Sequence, residues 1–160
     1  MIRYFCPSCW AEVSKTEKIC PYCKESIEKW DEKSFVEKLI SSLTHSERSI
    51  VYRACYILGE RREKTAVELL IHLLNSTNDH FLKEEIVEAL GKIGDERALP
   101  VLINELLNNP SFLVRGKAAT ALENFKGSKE VIEALKRAMG DCSRYVKESA
   151  LKSLDKLRSR

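Results

Sequence analysis

Proline and glycine are scarce in this chain, four and six among 160 residues. That scarcity argues against a disordered, turn-rich polymer and leaves helices free to run uninterrupted. Long apolar runs are also missing. The richest stretch, "AVELLIHLL", stops well short of a membrane span, and the opening "MIRYFCPSCW" lacks the apolar segment of a secretory signal. A soluble, cytoplasmic protein with no membrane partner is the expectation. No phosphate-cradling glycine loop, dinucleotide fingerprint or nucleophile elbow occurs, which sets the expectation that the chain is not an enzyme.

The formal charge of +3 is too small to define a partner. Its distribution is uneven, with twelve Lys/Arg against six acids from residue 115 onward. Hydrophobic residues make up 44% and charged residues 32% of the sequence, the composition of a chain that buries a core.

Cysteine is concentrated instead. Four of the six lie in "FCPSCWAEVSKTEKICPYCKE", as two CxxC pairs, Cys6 with Cys9 and Cys20 with Cys23. A two-residue spacer lets both sulfurs of a pair face one ion, and two pairs supply the four thiolates of a closed tetrahedral zinc site. Pro7 and Pro21 occupy equivalent places, so "CPSC" and "CPYC" read as matched half-sites. The same donors suit iron, and spacing alone leaves iron and redox-labile disulfides open. A thioredoxin-like CxxC would sit at a strand-to-helix junction, which neither pair does.

This stretch resembles the zinc ribbon, a small β-hairpin module built on paired CPxC knuckles, over residues 1–30. The resemblance implies Zn2+ held structurally by Cys6, Cys9, Cys20 and Cys23. It departs from the ribbon pattern after each second cysteine, where ribbons usually place glycine and this chain has Trp10 and Lys24.

From Ile50 the sequence repeats every 32 residues. Leu58, Leu90, Leu122 and Leu154 form one column; Ile50, Leu82, Val114 and Val146 a second; Ala54, Ile86, Ala118 and Ala150 a third. Positions four apart fall on one helical face, so the columns define a buried stripe. Second helices follow in "TAVELLIHLLN", "ALPVLINELLN" and "EVIEALKRAMG". Asp79, Ser111 and Ser143 precede first helices as N-caps, and Pro100 sits where a helix start tolerates it. Helix pairs of this kind bury their faces only by stacking, which predicts a mainly α solenoid over residues 31–160.

The repeats resemble the short HEAT-like repeat of the phycocyanobilin-lyase type, best at "LKEEIVEALGKIGDERALPVLINELLN". "SFVEKLISSL" resembles a capping second helix, and the fourth unit has only its first helix, which points to a contact surface, a homodimer through the C-terminal end or a truncation. Some HEAT-like proteins are iron hydroxylases built on His-Glu pairs, but His45, His72 and His80 are followed by Ser46, Leu73 and Phe81. In such solenoids second helices line the concave face, which makes the column His72, Asn104 and Lys136 a binding candidate. The column Lys83, Arg115 and Lys147 is a second candidate, either an ion-pair ladder or a phosphate track. Cys55 and Cys142 read as inert.

The reading that follows is a non-catalytic adaptor or scaffold that binds a protein partner and carries a structural zinc. The alternative is a nucleic-acid-associated module using the ribbon and the basic C-terminal half. A lyase-like protein for a small ligand is a third, and would need a concave apolar pocket.

Overall fold

The computed structural model describes residues 3–30 and 32–158. Its N-terminal part is a two-stranded antiparallel hairpin, β1 (Tyr4–Phe5) and β2 (Glu12–Val13), paired Tyr4 to Val13 and Phe5 to Glu12. So short a sheet buries little, and only Cys6 and Cys20 are buried in this region.

The rest is helical: α1 (Phe35–Ser42), α2 (Arg48–Glu60), α3 (Val67–Ser76), α4 (His80–Ile93), α5 (Leu99–Asn108), α6 (Phe112–Ala121), α7 (Lys129–Ala138) and α8 (Arg144–Arg158). The 32-residue columns are the core, save for Ile50 at the start of one of them, which is only half-buried. Leu58, Leu90 and Leu122 are fully buried and Leu154 nearly so, as are Ala54, Ile86, Ala118 and Ala150. Helix α1 starts on a capping box, in which Ser34 Oγ accepts from Glu37 N and Glu37 Oε2 accepts from Ser34 N. It packs on α2 as the predicted cap of the stack.

The N-cap column holds in part. Asp79 accepts from the N–H groups of Phe81 and Leu82, but Ser111 makes no side-chain cap, and its own N–H donates to Asn109 Oδ1. Pro100 lies in the first turn of α5, as expected.

Consecutive units stack mainly through their first helices, α2 on α4, α4 on α6 and α6 on α8. Small residues allow the close approach. A Cβ built on Gly59 would lie 2.8 Å from Ala89 Cα, and one on Gly91 would lie 2.5 Å from Ala121 Cβ and 2.7 Å from its Cα. The second helices are less closely packed between units. The first helices are thus the more closely packed row of the stack.

Candidate metal centre and repeat surface

The two CxxC loops are built alike. Trp10 N donates to Cys6 O at 2.9 Å and Lys24 N to Cys20 O at 3.0 Å; Cys6 N and Cys20 N donate to Ala11 O and Glu25 O, both at 2.9 Å. Trp10 and Lys24 both take left-handed backbone, φ 59° and 63°. The chain therefore keeps the knuckle turn without glycine. Lys24 offsets part of the strain by donating from Nζ to Pro21 O at 2.8 Å.

These turns bring the four sulfurs within 4.8 Å of one another. Cys6 Sγ lies 3.7 Å from Cys23 Sγ, and Cys9 Sγ 3.7 Å from Cys20 Sγ, with no disulfide formed. A tetrahedral ion with metal–sulfur bonds of roughly 2.3 Å has sulfur–sulfur edges of about 3.8 Å, so the donor set fits such an ion. The thiols differ in acidity. Burial pushes Cys6 up to about 12, while at Cys20 burial is outweighed by the N–H groups of Cys23 and Tyr22, which bring it down to about 7. Among the described residues this is the single group of three or more His, Cys, Asp or Glu side chains arranged to hold a metal.

The cysteine module is docked on the solenoid. Ser46 Oγ donates to Cys9 O at 3.2 Å, and the Trp10 ring meets His45 edge-on. Lys33 Nζ joins Glu25 at 3.0 Å and Ser41 Oγ at 3.2 Å, 4.6 Å from the centre of the Trp30 ring.

The sequence-predicted surface residues divide into two kinds. His72, Asn104 and Lys136 are exposed on α3, α5 and α7. Lys83 pairs with the buried Glu105 at 3.7 Å, and Asn109 Nδ2 donates to the same carboxylate. Arg115 is buried. It donates to Asp141 at 2.7 and 2.9 Å and to the carbonyl oxygens of Asn109 and Pro110 at 2.8 and 3.1 Å. Arg115, the nearest and strongest influence on Asp141, brings that carboxyl down to about 2. Two of the three cations in that column are thus engaged, Lys83 by the buried carboxylate of Glu105 and Arg115 by the turns on either side of its unit, and Lys147 is exposed.

Sequence reasoning missed the open face of the first helices. There Tyr52, Arg53 and Tyr56 of α2 border one shallow groove with Glu85, and Lys92, Lys117, Thr120 and Asn124 border another with Glu88. Lys117 and Lys92 both hold Glu88 at 2.7 Å, and Lys92 stands 5.2 Å from the centre of the Tyr56 ring. These residues fall between the buried columns at the same 32-residue spacing. That phase was the available signal. Cys55 is fully buried, as its column implied, and Cys142 is exposed.

The model of HEAT repeats matches residues 36–104 and 99–160. Phycocyanobilin lyase subunit alpha of Nostoc sp. (strain PCC 7120) is 39% identical over 98 residues, 56% of this chain and 35% of that protein. Deoxyhypusine hydroxylase of Debaryomyces hansenii is 24% identical over 92 residues, 57% of this chain and 30% of that protein. The chain spans about a third of the length of these curated relatives. Human deoxyhypusine hydroxylase in complex with glycerol superposes with a TM-score of 0.68 at 26% identity, covering 81% of this chain and 45% of that one. The complex of CpcE and CpcF of phycocyanin lyase from Nostoc sp. PCC7120 superposes with a TM-score of 0.57 at 23% identity, covering 92% and 71%. Both relatives are named as enzymes, and this overturns the expectations of a non-catalytic adaptor or scaffold and of a chain without enzymatic role. Nothing in these likenesses supports a nucleic-acid partner or a homodimer.

Proposed function

Because this chain belongs to the HEAT-repeat family, we propose that it is the repeat component of an enzyme of the bilin-lyase kind, working together with a second protein. The observation that carries this is the 39% identity over 98 residues with a phycocyanobilin lyase subunit. The hydroxylase reading is weaker at 24% identity. Beyond the four cysteines, the described residues also group no ligand set that would serve a hydroxylating metal on this chain.

A bilin is an extended conjugated molecule with carboxylate arms, and a protein that handles it needs flat rings to stack on and cations to receive the carboxylates. The grooves on the first helices offer Tyr52 and Tyr56 for the first task, and Arg53, Lys92 and Lys117 for the second. A partner protein would complete a site that these open grooves leave half-walled.

The N-terminal module, residues 1–30, takes in this reading a structural zinc on Cys6, Cys9, Cys20 and Cys23, and residues 31–160 form the solenoid. Zinc would supply a cross-link where the hairpin lacks a core. A cytoplasmic setting would keep the thiols reduced.

The test is titration of free phycocyanobilin into the protein, followed by visible absorbance and thermal stability. A shifted and intensified bilin band with a raised Tm, both lost in Tyr56→Ala/Lys117→Ala, is the expected result. An unchanged spectrum and Tm at saturating bilin would sink the lyase reading.

A further inference from the structure

We propose that the edge formed by the turns within the units is a docking groove for an extended acidic segment of a protein partner. This surface adjoins the grooves assigned to bilin and shares Lys92 with them, but the proposal stands on Arg62 and Lys126, which line neither bilin groove, and does not rest on that reading.

A groove of about 550 Å³ runs along this edge, lined by Arg62, Lys92, Gly94, Glu123, Lys126 and Lys156 among others. Four cations face one carboxylate. They follow the repeat: Arg62, Gly94 and Lys126 occupy one 32-residue column, and Lys92 and Lys156 belong to the adjacent one with Glu60 and Asn124. Two of the four are engaged, Lys92 by Glu60 and Glu88 and Lys156 by Glu123. Arg62 and Lys126 meet no carboxylate among the described residues and are exposed, so the positive charge they bring to the groove is uncompensated.

Arg62 carries a second sign of selection for its side chain. Its backbone is left-handed at φ 52°, and the equivalent residue of the next unit is Gly94 at φ 68°. Glycine takes this conformation without strain, whereas arginine does not. A strained arginine where glycine would fold more easily is expected when the guanidinium has a task.

The length of the row favours a peptide over a small anion. Three steps between packed units, at about 9 Å each, place the end members roughly 27 Å apart, the reach of about eight residues of extended chain. Acidic side chains alternating along such a segment would meet one cation per unit.

The experiment is fluorescence anisotropy of a labelled octaglutamate peptide titrated with the full chain at low and high salt, for the wild type, R62G/K126A and, as a control on an exposed cation of α7 outside the groove, K136A. The expected result is salt-sensitive binding that falls roughly tenfold or more in R62G/K126A and is unchanged in K136A. Arg62→Gly alone should leave the Tm equal or higher, which separates loss of binding from loss of fold. Equal affinity of wild type and R62G/K126A would overturn the proposal. So would equally tight binding of a single-stranded oligonucleotide of the same charge, because the edge would then be a general polyanion surface.

Discussion

The indole of Trp10 stands edge-on to the imidazole of His45, with ring centres 6.0 Å apart and planes at 87°. The contact joins the residue that follows the first CxxC pair to the residue that opens the turn into α2. His45 Nδ1 accepts from Glu47 N at 2.9 Å, so the proton of a neutral ring sits on Nε2, which is buried and has no hydrogen-bond partner in the structure. The left-handed turn at Trp10 is thus part of the docking of the cysteine module as well as of the knuckle.

Trp10→Ala should therefore loosen the junction without emptying the metal site. The expected outcome is a stability loss of about 1 kcal/mol, given an aromatic contact that is still partly exposed, with hydrogen exchange accelerated in α1 and zinc content unchanged by elemental analysis. Unchanged exchange in α1 would show that the module and the solenoid are not coupled through this ring.

Cys20→Ser should abolish stoichiometric zinc, which is expected at one ion per chain in the parent, and should unfold residues 3–30 while far-ultraviolet circular dichroism retains the α2–α8 signal. Zinc affinity should fall with pH. The metal binds thiolate, and burial holds the Cys6 thiol protonated up to about 12, so protons compete throughout the neutral range and more strongly as pH drops. Competition with a chromophoric chelator at about pH 6 and about pH 8 checks the sign.

Gly91→Ala should lower stability by about 2 to 3 kcal/mol, because the new methyl group meets Ala121 Cα at 2.7 Å and neither helix backbone can retreat without disturbing the stack. Gly127→Ala should cost about 1 kcal/mol, since its Cβ meets nothing within 4 Å and only φ 79° opposes it. Urea denaturation of the two variants separates packing from backbone strain.

Arg115→Ala should destabilise by about 2 to 4 kcal/mol by leaving Asp141 and the carbonyl oxygens of Asn109 and Pro110 without their donor. The pair is also acid-sensitive. Asp141 is depressed from 3.8 to about 2 in the folded chain, so its contribution is complete above pH 4 and is lost as pH falls toward 2. A wild-type minus R115A difference in Tm that stays constant from pH 6 to about pH 2 would contradict this.

Much of the architecture was legible in the residues. The spacing of Leu58, Leu90, Leu122 and Leu154 placed the repeat and its core, because burial of a helix stripe depends on periodicity alone. Cys6, Cys9, Cys20 and Cys23 were legible as one donor set because CxxC geometry is local. The engagement of Lys83 and Arg115 was not legible, since a cation's partner depends on which carboxylate the fold brings near it, Glu105 or Asp141 in these cases. Nor was Ser111's failure to cap, where the equivalent Asp79 does.

The sequence by itself determined the two building plans, four thiols gathered in one cluster and helix pairs at a 32-residue pitch, because both follow from spacing along the chain. Only the tertiary structure decided which row of helices packs more closely, through the contacts of Gly59 with Ala89 and Gly91 with Ala121. It also decided how the cysteine module is held, through Trp10 on His45 and Ser46 on Cys9. These contacts join residues about 30 to 37 positions apart, and no local preference of the chain encodes them.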